Sequence, residues 1–133
     1  MQMPYQAGYQ AYQRNKYETA SPHRLILMLY NGAVQFTVQA EMALSSGSNA
    51  EAHRLIIKTQ DIIYELISSL NEDQGGDIAQ NLKAIYLYMI DRLVQANINK
   101  QSDNLIEVRQ LLQDLKSTWE QIGKDVTLGN ATI

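Results

Sequence analysis

The sequence predicts an all-α fold: an antiparallel up-down-up-down four-helix bundle with an N-terminal arm or short extra helix. Three observations predict it. Four segments carry apolar residues at spacings of three and four, the period of a helix buried on one side. The segments are joined by short polar turns, which favour antiparallel neighbours. No segment alternates with a period of two for long enough to make a sheet.

Residues 1–20 read as a tyrosine-rich arm. Tyr5, Tyr9 and Tyr12 are spaced by four and three, with Gln6, Gln10 and Gln13 between and beyond them. That spacing aligns the rings on one face if the segment is helical. A helix this short is marginal alone, so the arm is expected to dock on the body of the protein.

The bundle domain is assigned to residues 21–122. Its first helix opens at Ser21-Pro22, with serine able to cap the first turn and proline suited to the first helical position. The apolar run Leu25–Tyr30 follows at once and points in almost every direction round a helix, which marks the helix as central. One stripe runs through Ile26, Leu29, Ala33, Phe36, Ala40 and Ala43, and a second through Leu27, Tyr30, Val34, Val38 and Met42. Gly32 weakens a helix by about 1 kcal/mol relative to alanine, which suggests close packing by a neighbour. The helix is expected to stop near Leu44, before Ser45-Ser46-Gly47-Ser48-Asn49.

Ser48 and Glu51 have capping-box spacing for the second helix. Its buried stripe is Ala52, Leu55 or Ile56, Thr59, Ile63, Leu66 and Leu70. A polar turn, Asn71 to Gly76, separates it from a third helix expected to be capped by Asp77 and to reach Asn99. There, Leu82, Ile85 or Tyr86, Met89, Leu93 and Ala96 form one stripe, and Leu87, Ile90, Val94 and Ile98 a second. The fourth helix, with Asn104 and Glu107 placed to cap it, has a single stripe: Leu105, Val108, Leu112, Leu115, Trp119 and Ile122. Residues 123–133 are expected to be a loose tail. The first and third helices carry more apolar stripe than four helices can hide, so the surplus is covered by an extra element or forms a groove for a partner.

Composition narrows the function. The net charge is −3, and the Lys and Arg residues are scattered, which gives no support for a nucleic-acid or anionic-membrane partner. There is no cysteine, so neither a disulfide framework nor a thiolate metal site is expected, in keeping with a reducing cytoplasm. No N-terminal secretory signal and no membrane span are read. His23 and His53, the two histidines, both fall in first helical turns and are expected to be exposed. Neither has a metal-ligand companion, and Glu51 lies on a different helix face from His53. No catalytic, cofactor-binding or metal-binding residue is assigned. Arg92, inside an otherwise apolar helix, is expected to pair with an acidic neighbour or to reach water at a groove rim.

Several of these residues together resemble a known family. Tyr12-Gln13, Thr19-Ala20-Ser21-Pro22, Leu25 and Met28-Leu29-Tyr30-Asn31-Gly32-Ala33 are similar to the first signature of the FliS family of flagellin export chaperones. Tyr86-Leu87-Tyr88-Met89, Arg92-Leu93 and Ala96-Asn97 resemble its second signature, and Trp119 stands where that family tends to have a tryptophan. The resemblance spans about Tyr9 to Ile122. It implies a cytoplasmic helical bundle that binds the C-terminal region of flagellin and keeps it from polymerising before the flagellar type III export apparatus. It also implies an arm, here bearing Tyr9 and Tyr12, that covers part of the same surface when flagellin is absent. On this reading the partner groove is lined by Ile56, Ile63, Tyr86, Met89, Ile90 and Leu93, each of which is equally compatible with plain core. The free protein is expected to be a monomer or a weak arm-exchanged homodimer. The rival reading is a non-catalytic adaptor or structural bundle that self-associates through its spare stripes.

Overall fold

The computed structural model describes residues 21–127, so the expectations for the tyrosine arm, including Tyr5, Tyr9 and Tyr12, lie outside the described residues. Within them the chain forms four helices: α1 (Pro22–Ser45), α2 (Asn49–Ser68), α3 (Glu72–Asn99) and α4 (Asp103–Thr127). Each helix packs against its neighbours in sequence, and α4 returns to α1, closing a four-membered ring. Contacts that run head to tail fix the antiparallel sense. His23 at the start of α1 meets Trp119 late in α4, and Glu41 late in α1 meets Arg109 early in α4.

Local chemistry explains most of the boundaries. Ser21 caps α1, its hydroxyl accepting from the Arg24 amide at 3.1 Å, with Pro22 just inside. Ser48 occupies the N-cap of α2 but makes no side-chain cap bond. The expected capping box is therefore not formed: Glu51 pairs with Arg54 one turn on instead. The α3 helix starts earlier than Asp77, because Asn71 caps a first turn by accepting from the Gln74 amide at 3.1 Å. That turn is joined to the rest of α3 through a break at Gly76, where φ is 53° and ψ is −130°. Lys100 ends α3 in the left-handed conformation with φ 53°. The α4 helix begins at Asp103, with the Ile106 amide bonded to Ser102 O at 2.9 Å, not from a cap at Asn104. It also runs on through Gly123 to Thr127, past the point where a loose tail was expected to begin.

The core follows the periodic stripes. Ala33, Ala40 and Ala43 of α1, Ala52 of α2 and Ala96 of α3 are buried, and most of these small side chains lie towards the end where α1 finishes and α2 begins. Buried Thr37 and Thr59 satisfy their hydroxyls on the preceding turn, donating to Ala33 O at 2.7 Å and Leu55 O at 2.9 Å. Gly32 fits the expectation of a close neighbour: a Cβ there would lie 3.2 Å from Ile62 Cδ1 of α2. Among the described residues no helix is long and apolar enough to cross a membrane.

Candidate functional site

Larger side chains fill the opposite end of the bundle, and there the four helices do not close on one another. The starts of α1 and α3 and the ends of α2 and α4 surround an open cavity of about 1010 Å³. Leu25, Ile26 and Leu29 of α1 form one wall, Ile62 of α2 and Leu82 of α3 another, and Trp119 and Ile122 of α4 a third. All seven are only partly buried. The run Leu25–Tyr30 thus has a structural outcome, since a helix apolar all round needs cover on every side and here lacks it on one.

Two features make the cavity more than a greasy hollow. Tyr30 of α1 and Tyr86 of α3 both line it, and their hydroxyls lie 2.5 Å apart. Both side chains are 2% exposed, and burial pushes both phenols above their usual pKa of 10.0, so both keep their protons at neutral pH. At its rim stand the carboxylates of Asp61 and Glu65, both exposed.

One wall is fixed by a clasp that sequence reasoning missed. The His23 ring stacks on the Trp119 indole with centroids 5.1 Å apart and planes 7° from parallel. His23 Nε2–H donates to Trp119 O at 2.7 Å, and Trp119 Nε1–H donates to His23 O at 2.9 Å. His23 is therefore half-buried, not exposed as its first-turn position suggested. The available signal was the pairing of a lone tryptophan on α4 with an aromatic ring at the antiparallel level of α1.

A second apolar surface runs outside the cavity along the seam of α2 and α3. Ile57 and Tyr64 of α2 and Leu87, Val94 and Ile98 of α3 are exposed, Leu87 to 49% and Ile98 to 69%. The antiparallel helices set Ile57 level with Val94 and Tyr64 level with Leu87. At one end the seam is bridged by a 2.8 Å contact between Asn97 Nδ2 and His53 Nδ1. Beside it, Arg92 pairs with Asp91 at 2.6 Å and lies 5.5 Å from the centre of the Tyr88 ring. Tyr88 in turn donates to Glu107 of α4 at 2.6 Å. The expected acidic partner for Arg92 is therefore its own neighbour in sequence.

The groove residues chosen from sequence divide between core and surface. Ile56, Ile63, Met89 and Leu93 are 0% exposed. They are core, and their assignment to a groove is corrected: their stripes turn inward, where the four helices meet. Tyr86 is buried but lines the cavity. Ile90 is partly buried against the core, next to the exposed seam. On α3 the free stripe is the second one, Leu87, Val94 and Ile98. Tyr9 and Tyr12 lie outside the described residues. Among the described residues no group of His, Cys, Asp and Glu is arranged to hold a metal ion.

Comparison with known proteins bears on the family and the fold. A family profile described as "Flagellar protein FliS" matches residues 5–126. The chain is 39% identical over 119 residues to the flagellar secretion chaperone FliS of Bacillus subtilis, covering 90% of this chain and 88% of that protein. It is 37% identical over 121 residues to the flagellar secretion chaperone FliS of Salmonella typhimurium, covering 87% of this chain and 90% of that one. A solved structure titled "Crystal structure of flagellar chaperone from bacteria" superposes with a TM-score of 0.75 over 92% of this chain and 99% of its own. At 20% identity it speaks to the fold alone.

Proposed function

The chain belongs to the FliS family of flagellar secretion chaperones, and we propose that it binds the C-terminal region of flagellin, prevents its premature polymerisation and hands it to the type III export apparatus. The observation that carries this reading is the surplus of apolar surface: an open cavity at one end of the bundle and an exposed stripe along the α2–α3 seam. An amphipathic segment that would otherwise self-associate can lay its apolar face on such surfaces. A guest with no fixed structure loses conformational entropy on binding, and two separate surfaces offer the area needed to offset that cost. Work of this kind needs no catalytic group.

The tyrosine arm is the natural cover for the cavity when flagellin is absent. Residue 20 is joined directly to Ser21, which lines the cavity mouth. The arm carries Arg14 and Lys16 as well as its tyrosines, and the cavity rim carries Asp61 and Glu65. Tyr9 and Tyr12 are the rings proposed to dock.

Titrating the purified protein with a peptide from the C-terminal region of flagellin tests this in a calorimeter. A saturable complex at micromolar concentration is expected; no heat and no complex would remove the chaperone reading in favour of a self-associating bundle. Deleting Met1 to Lys16 should raise peptide affinity and dye-accessible apolar surface. If it changes neither, the arm does not cover the site.

A further inference from the structure

The Tyr30–Tyr86 hydroxyl pair has one proton to spare. A phenol carries one O–H and can also accept, so a pair joined by a single hydrogen bond spends one proton and leaves the other. Tyr30 and Tyr86 are so joined at 2.5 Å, and the second O–H has no acceptor among the described residues. Both tyrosines line the cavity together with the apolar Ile26, Leu29, Ile62 and Leu82.

We infer that the Tyr30–Tyr86 pair determines specificity in this cavity: it offers one O–H to the guest and selects an uncharged hydrogen-bond acceptor, an Asn or Gln amide or a Ser or Thr hydroxyl, on an otherwise apolar segment. The inference rests on the chaperone reading above. A wholly apolar side chain seated in this cavity would leave the buried O–H without a partner, whereas an acceptor satisfies it, a difference of about tenfold in affinity. A carboxylate would accept the proton, but it would lose its hydration and face the acidic Asp61 and Glu65 rim.

The arithmetic of the pair supplies the test. Removing either hydroxyl frees the remaining one to donate to the guest, so one oxygen suffices. Tyr30→Phe, Tyr86→Phe and the double variant are titrated calorimetrically with the flagellin C-terminal peptide, with urea unfolding followed in parallel. Each single variant should bind within about threefold of the wild type, and the double variant about tenfold more weakly.

A double variant that binds within about twofold of the wild type overturns the inference, as do single variants that each lose as much as the double. In a second measurement, each Asn, Gln, Ser and Thr of the peptide is replaced in turn by an apolar residue, against the wild-type protein. One replacement should cost about tenfold, and the absence of any such position also overturns the inference. If the wild type binds no peptide at all, the chaperone reading has failed and this inference falls with it. That result differs from a complex that forms normally and ignores the hydroxyls.

Discussion

His23 and Trp119, 96 residues apart, are joined by two oppositely directed hydrogen bonds and a parallel ring stack. Each ring donates to the other's backbone carbonyl, so the start of α1 and the end of α4 are held in one register. Trp119→Phe keeps an aromatic ring but removes the indole N–H, and His23 O loses its partner. The expected cost is about 1–2 kcal/mol, read as a lower urea midpoint at unchanged slope. Gly123→Ala attacks the same clasp from below. Its Cβ would lie within 2.5 Å of His23 Nε2 and closer still to Cε1, so the ring must leave the indole. Near-ultraviolet dichroism of the lone tryptophan should change, with a stability loss of about 1–3 kcal/mol.

The two glycines near the start of α3 fill different needs. Gly76 has φ 53° and ψ −130°, a conformation that L-residues resist, with no atom within 4 Å of a built Cβ. Gly76→Ala should therefore cost about 1–3 kcal/mol through backbone strain alone. Gly75 is crowded instead, since its Cβ would lie 2.8 Å from that of Ala79. Urea unfolding of the two alanine variants checks both. A Gly76→Ala protein as stable as the wild type would mean that the break in α3 does not depend on glycine's conformational freedom.

Stability should be independent of Tyr30 and Tyr86 titration below pH 10 and should fall above it. Both folded-state pKa values are raised, chiefly by burial, above the ordinary 10.0. Above that pH the unfolded chain sheds protons that the folded chain keeps, so the unfolded state binds fewer and the equilibrium moves towards it. The slope is about 1.4 kcal/mol per pH unit for each tyrosine until its folded form titrates. Unfolding at about pH 9 and about pH 11, compared between the wild type and the double phenylalanine variant, isolates this effect from lysine titration.

Core and seam should separate cleanly in mutagenesis. Ile63→Ala empties a fully buried position and should cost about 2–5 kcal/mol of stability. Ile98→Glu, at a position 69% exposed, should change stability by no more than about 0.5 kcal/mol. On the chaperone reading it should nonetheless weaken the flagellin peptide severalfold in calorimetry. Unchanged affinity would take the α2–α3 seam out of the binding surface.

Four helices and their approximate limits were legible in the sequence, because the period of apolar residues and the chemistry of turns are local properties. The stripe of α4 and the Ser21-Pro22 start of α1 are read from neighbours a few residues away, and the structure has both. The surplus of apolar residues on α1 and α3 was legible too, since composition round a helix is itself a local count. Which stripe is surplus was not. Met89 and Leu87 lie two positions apart on α3, yet one is sealed in the core and the other half in solvent. That choice depends on how α3 is rotated against three other helices, a balance of packing summed over the whole bundle. The cavity, the paired hydroxyls of Tyr30 and Tyr86 and the clasp of His23 and Trp119 arise the same way, from residues that only the closed ring of helices brings together.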